Sequence, residues 1–374
     1  MRLADRNGTA KNVFSGIFQK LGASVLRVLT SLFVPAITFY VLYVGFMFLK
    51  RSEAPAAVLA VVAIIWGVGG VAALYFVANW LIGRFPAQVR SWLQPFLFVG
   101  PAMIILGWYL FIPAVRSLYL SFFGPNSQKF VGITNYVYCF TDRTMLQAYR
   151  NNLLWLILGT GFSVGFGLFI ALLADRCRFE KLAKTIIFMP MAISFVGAAV
   201  IWKYVYAYKP PGQPQIGILN AIVTAFGLEP VGWITMRPWN TFFLIAILIW
   251  LQSGFAMVIL SAAIKGVPKD IIEAGRVDGA SELRVVFNII IPNIAGSIVT
   301  VATTILIITL KIWDIVFTMT NGLYGTEVLA SQQYKMIFKF LHYGRGSAIA
   351  IILLVAVIPV MWYNLKRFGQ QEVF

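Results

Sequence analysis

The chain has 374 residues, of which 60% are hydrophobic and only 11% are charged. A soluble domain carries about twice that charged fraction, so composition points to a membrane protein. Its 30 Lys and Arg exceed its 13 Asp and Glu by 17 charges, but they flank long apolar runs instead of gathering on polar segments, which argues against a nucleic-acid face.

Residues 1–20 are polar and no cleavage pattern follows them, so no secretory signal is expected. A membrane-spanning helix needs about 20 mostly apolar residues. Eight stretches meet this: 25–49, 56–82, 95–115, 152–174, 185–206, 241–264, 294–318 and 347–365. The expected fold class is an all-α polytopic membrane protein with about eight transmembrane helices. The first two spans hold almost no polar residue, whereas later ones carry Asn, Gln, Lys and Asp at depth. A composition break at 83–94 therefore divides a tail and two accessory helices, 1–90, from a six-helix working core, 91–374. Trp80, Trp92, Trp155 and Trp362 read as interfacial belt residues, and Gly161 with Gly165 as a helix-packing pair.

With a cytoplasmic N-terminus, 17 Lys and Arg fall in inside segments, starting with Arg2, Arg6, Lys11, Lys20 and Arg27, and 11 fall outside. That bias predicts both termini on the cytoplasmic side. Cys139 and Cys177 then lie on opposite faces, so no disulfide is expected. A single His342 argues against a histidine metal site, and the absence of any Gly-Lys dipeptide leaves no P-loop. Loops 116–151, 207–240 and 319–346 are long and rich in Gly, Pro, Asn and aromatics, as structured caps able to meet a soluble partner would be.

The inside loop 265–293 has helix-forming composition. Pro268 and Asp270 suit a helix start, Gly279 a left-handed stop, and Ser281 the cap of a second helix running through Phe287 to Ile291. Ile271, Ile272, Ala274 and Val277 supply an apolar stripe. Chemistry alone leaves two readings: a helix–turn–helix knob shaped for a cleft in another protein, or an amphipathic linker lying on the bilayer.

Polar residues inside spans usually face a cavity or one another. Gln252, Ser253, Thr309, Lys311 and Asp314 qualify, with Phe255 and Trp313 beside them. Lys311 and Asp314, three apart, share a helix face in a continuous span. They either lock one helix to its neighbour or edge a sugar site, where hydroxyls are hydrogen-bonded and rings stack. Trp202 and Lys203 read better as an interfacial anchor.

The string Glu273-Ala274-Gly275, Asp278-Gly279-Ala280, Phe287 and Ile291-Pro292 resembles the EAA loop of binding-protein-dependent ABC importer permeases, with Gly275 where Ala is usual. Phe130-Val131-Gly132-Ile133-Thr134-Asn135-Tyr136, Phe188-Met189-Pro190 and Thr320-Asn321-Gly322 with Thr326, Leu329 and Tyr334 resemble further segments of sugar permeases. Lys209-Pro210-Pro211-Gly212-Gln213 through Asn220 is similar to the alpha-glucoside branch, and the two extra N-terminal spans to the maltose-permease type. The resemblance implies a type I importer core whose nine loop residues dock an ATPase, with Glu273 and Gly279 the most sensitive. It adds Ser194 to the substrate-lining candidates. It implies no cofactor on this chain, ATP with Mg bound by a pair of ATPase subunits, a second similar permease, an outside sugar-binding protein, and residence in a bacterial inner membrane. An alpha-glucoside or another di- or oligosaccharide is the implied cargo. A non-sugar polyol importer, an ion-coupled transporter using Asp314, and an assembly protein are the other readings.

Overall fold

The computed structural model describes residues 29–175 and 177–371, all helix and loop among those described. Arg2, Arg6, Lys11, Lys20, Arg27 and Arg176 lie outside the described residues. Six helices are long and apolar enough to cross a bilayer, and two sharply bent helix pairs raise the number to eight.

The chain divides into two compact units, Met1–Pro113 and Ala114–Phe374. The first holds α1 (Leu29–Arg51), α2 (Ala56–Ile82) and most of α3 (Ala87–Leu120). None of its described residues is buried within the protein, as fits spans whose apolar surface faces lipid. What joins them is local. Trp66 sits against Gly45, the Tyr75 and Phe98 rings stack at 6.0 Å, and Gln94 Nε2 donates to Asn79 Oδ1 at 3.2 Å. Arg84 lies over the Trp80 ring and donates to Thr30 and Ser31. The composition break at 83–94 thus does not coincide with the structural division, because these side chains tie α3 to α2.

The second unit is built on α5 (Arg143–Ala174) and α9 (Asn240–Lys265), with α4 (Thr134–Thr141) before them. In hydrocarbon an apolar side chain gains nothing by leaving lipid, so helices meet where small residues let backbones approach. Gly159 and Gly167 do this here: a Cβ on Gly159 would lie 2.9 Å from Leu248 Cδ2, and one on Gly167 would overlap Ala256 and lie 2.9 Å from the Met257 nitrogen. Gly161 and Gly165, the predicted pair, face open space instead. Trp155, predicted as a belt residue, is fully buried between α5 and α9 with Leu244, Leu248 and Leu251.

The predicted span 185–206 is broken. α6 (Glu180–Ala192) and α7 (Phe195–Val205) meet at 104°. Pro190 tightens the last turn, Ile193 and Ser194 are extended, and Ser194 Oγ caps α7 by accepting from the Gly197 amide at 3.1 Å. The predicted span 294–318 also stops early. α12 (Ala295–Leu310) ends at Lys311 and Trp313, which leave helical geometry, and α13 restarts at Asp314–Thr320. The freed Leu310 carbonyl is taken by Asn152 Nδ2 at 3.2 Å.

The three cap loops are pinned by buried amides. Asn220, on α8 (Ile218–Ala225), donates to the Ala207 and Val231 carbonyls and accepts from the Val231 amide and Trp233 Nε1. Asn135 donates to the Ser121 and Phe123 carbonyls. Asn151 donates to the Gly325 and Glu327 carbonyls, ahead of α14 (Leu329–Tyr334). The last helix, α15 (Tyr343–Gln371), packs on α4 and α14 through Cys139, Leu329, Ala348 and Ile349.

Candidate functional site

Two places combine most of the residues singled out in the sequence. The first is the loop between α9 and α12. Here α10 (Lys269–Val277) begins after Pro268, with Asp270 in its first turn. It closes in a Schellman pattern: the Ala280 amide bonds the Gly275 carbonyl at 3.0 Å and the Gly279 amide the Arg276 carbonyl at 3.1 Å. Gly279 takes φ +81°, the left-handed conformation predicted for it. Ser281 then caps α11 (Glu282–Asn293). Pro292 lies within this helix and does not end it. The chain turns one residue after Asn293, at Ile294, where α11 and α12 meet at 72°.

The knob has its own small core. Val267, Val285, Ile290 and Ile294 are buried, with Ile272 and Ile289 against them. Gly275 has a packing role there, because a Cβ would overlap the end of Ile289. Arg276 Nε and Glu282 Oε1, 2.9 Å apart, bridge the two helices. The predicted apolar stripe therefore splits. Ile272 turns inward, while Ile271, Ala274 and Val277 stay exposed. Val277 is 87% exposed, Leu283 71% and Phe287 64%. Glu273 and Asp278, on and just after the same helix, are exposed as well.

The second place is a cavity of about 310 Å³ between α6, α7, α9 and α12. Gly254 lets α9 approach the end of α6, since a Cβ there would lie 2.8 Å from Phe188 Cα. Ser194, Gln252 and Phe255 line this cavity together, with Phe195, Thr304 and Ile308. Gln252 is 5% exposed, and its Oε1 is buried with no hydrogen-bond partner among the described residues. No residue lining the cavity is ionisable.

The other candidates lie elsewhere. Ser253 Oγ donates back to the Ile249 carbonyl, and Thr309 Oγ1 to the Ile305 carbonyl at 2.7 Å. Trp313 stacks on Phe317 at 4.6 Å and meets Tyr334 at 5.3 Å, away from the cavity lining. Lys311 is exposed, and among the described residues it forms no ion pair with Asp314. The helix face they were expected to share is interrupted at residues 311–313. Sequence reasoning missed Thr304 and Ile308, whose spacing of four on an apolar helix resembles ordinary packing. It also missed a charge cluster that joins the start of α6 to the ends of α5 and α9. Lys184 pairs with Glu180 at 2.6 Å and with Asp175, while Lys265 pairs with Glu180 and Ser261 bonds Asp175 at 2.7 Å. The Glu180–Lys184 spacing of four was its legible part.

Comparison with known proteins places this architecture. Residues 163–365 match the family described as "Binding-protein-dependent transport system inner membrane component". The osmoprotective compounds uptake permease protein GgtC of Synechocystis sp. is 56% identical over 276 residues, 74% of this chain and 99% of that protein. The alpha-glucoside transport system permease protein AglF of Rhizobium meliloti is 46% identical over 329 residues, 83% of this chain and 98% of that one. A chain of the bacterial alginate ABC transporter, crystallised with an alginate pentasaccharide-bound periplasmic protein, shares the fold. Its TM-score is 0.64 at 22% identity, over 74% of this chain and 93% of that chain.

Proposed function

This chain belongs to the family of binding-protein-dependent transport system inner membrane components, a multi-pass permease and not an enzyme, and on that premise we propose that it forms part of an import pathway for a neutral polyhydroxylated solute, an alpha-glucoside in the first instance. The observation that carries the substrate class is the cavity: no charge on its wall, Phe255 and Phe195 for a sugar face, and an unpaired Gln252 Oε1 for a hydroxyl donor. The alpha-glucoside permease among its relatives supports the sugar. The osmoprotectant permease supports a second reading, a small compatible solute, which the same uncharged wall would accept.

The knob is the coupling element in this reading. Its exposed Val277, Leu283 and Phe287 enter a cleft of an ATPase subunit, where Glu273 and Asp278 meet partner charges. ATP with Mg is bound on a pair of ATPase subunits, and the chain itself holds no cofactor. A second permease completes the cavity, a soluble binding protein delivers the solute on the cap side, and both termini face the cytoplasm. Alternating access follows when ATPase closure moves α10 and α11.

The test is uptake of a labelled alpha-glucoside by proteoliposomes of the assembled complex. Glu273→Ala and Gly279→Val should abolish uptake and uncouple it from ATP hydrolysis, while the protein still inserts. Placing a branched residue at φ +81° strains the turn by about 1–2 kcal/mol, less than folding needs but enough to misplace the knob. Normal uptake by either variant, or uptake that survives without ATP and follows an ion gradient, would sink the proposal.

A further inference from the structure

A second hollow, of about 260 Å³, opens in the cap where three segments converge: α5 at Gln147, Arg150 and Asn151, the loop before α9 at Arg237, and the turn at Tyr324 and Gly325. Its floor is fixed by amide side chains that spend their donors on backbone. Gln147 Nε2 and Asn151 Nδ2 donate to the Gly325 carbonyl at 3.1 and 2.8 Å, and Asn240 Nδ2 donates to the Tyr324 carbonyl at 2.9 Å. The turn itself is held in left-handed geometry, Tyr324 at φ +56° and Gly325 at φ +81°. A Cβ on Gly325 would come within 2.6 Å of Gln147 Nε2, so the wall is closely fitted.

The donors left over are the guanidinium groups of Arg150 and Arg237. Both residues are exposed, and among the described residues neither has an acid within ion-pair range. The rest of the cap does not supply one. Loops 116–151, 207–240 and 319–346 hold nine Lys and Arg against three acids. Of those acids, Asp142 caps α5 by accepting from the Thr144 and Met145 amides, Glu327 is buried against Lys335, and Glu229 is exposed and pairs with neither arginine among the described residues. A cationic excess on the outer side also runs against the usual topological bias, so it needs a local reason. Two forked cations over a neutral, rigid floor match one planar carboxylate, and the surrounding positive field draws an acidic surface toward it.

The geometry points to this hollow as the receptor for an Asp or Glu side chain projecting from the soluble binding protein, with Arg150 and Arg237 closing on its carboxylate. The assignment rests on the proposed orientation, which puts the cap outside, and on the family's dependence on a binding protein. The volume suits one side chain of a docking loop and is too small for a folded element.

The experiment measures the affinity of the cognate binding protein, loaded with an alpha-glucoside, for the assembled transporter in nanodiscs of neutral phosphatidylcholine. Arg150→Gln and Arg237→Gln should each weaken binding by about tenfold, mainly in the on-rate, and the double variant further. The dependence of affinity on salt should flatten in the same order. Arg150→Lys and Arg237→Lys, which keep the charge but lose the fork, should weaken binding less than the Gln variants and keep its salt dependence, and Arg237→Glu should be rescued by replacing one acid of the binding protein with Lys. Unchanged affinity in the double Gln variant overturns the assignment. So does a loss seen only in discs containing anionic lipid, which makes a headgroup the occupant. Co-purification with the ATPase controls for folding. Where a Gln variant fails to assemble, the parent complex decides, since affinity insensitive to salt overturns the carboxylate pairing. If the parent binds no binding protein at all, the functional reading itself fails, a result distinct from these.

Discussion

Gln252 sits on α9 with its Oε1 shut away from any protein donor. An acceptor left unpaired in such a wall costs about 1–3 kcal/mol, so its persistence fits a donor that arrives with the cargo. Gln252→Leu should raise the half-saturating alpha-glucoside concentration about tenfold, the upper end of what one hydrogen bond supplies. Ser253→Ala, whose hydroxyl is bonded to its own helix, should leave it nearly unchanged. Equal effects of the two in an uptake assay would remove Gln252 from the site. His342 gives a separate test at this scale. Its Nδ1 accepts from the Arg345 amide at 3.2 Å, and burial, then the Arg345 charge, holds its pKa below 6.5. The unfolded chain therefore binds the extra proton first, and the cap's contribution is lost as pH falls below 6.5 through the folded value. The melting temperature of the purified protein should fall between about pH 7 and pH 5, where His titrates, and His342→Asn, which keeps an acceptor, should flatten that fall.

Between α5 and α9 the contact depends on residues too small to hold the helices apart. Gly167→Val would drive a side chain into the Met257 backbone, and should cost about 1–3 kcal/mol as overpacking does. Gly165→Val, in open space, should leave the melting temperature unchanged, and the pair of melts checks both. The sequence showed small residues four apart on α5 but offered two registers. Gly159, Ser163, Gly167 and Ala171 make one, and Gly161 with Gly165 the other. The longer register faces α9. Span existence was legible because about 20 apolar residues in a row leave few other structures. The break at residues 311–313 was not, because what stabilises it is distant in sequence, whereas the break at 193–194 rests on the local Pro190 and Ser194, which an unbroken apolar run concealed. Asn152 reaches the Leu310 carbonyl across 158 positions, and no window on α12 contains that donor. The two helices of the knob and the turn between them were legible because their signals are local: Pro268, Gly279 and Ser281 each act within one turn, whereas the split of the apolar stripe and the place of Pro292 were not.

At the scale of the whole chain, orientation decides which faces meet which partners, and the two cysteines report on it. Cys177 is exposed, whereas Cys139 is buried and its thiol is pushed up to about 11, leaving it unreactive. A membrane-impermeant maleimide should label Cys177 in inverted vesicles and spare it in intact cells. The opposite pattern would put the cap on the cytoplasmic side. The eight spans were read from sequence, but their grouping was not, since the composition break at 83–94 and the division after Pro113 follow different physics. Lipid-facing composition sets the first, and side chains such as Tyr75 and Phe98 set the second. The knob also has a mechanical consequence. Arg276 and Glu282 pair across the Gly279 turn, and Ile272, Val285 and Ile289 pack its two helices together. Its second helix joins α12 at a 72° corner. In the proposed mechanism the assembly would act as a bell crank, a push received at Phe287 being redirected around Ile294 into the helix that carries Thr304 and Ile308 on the cavity wall.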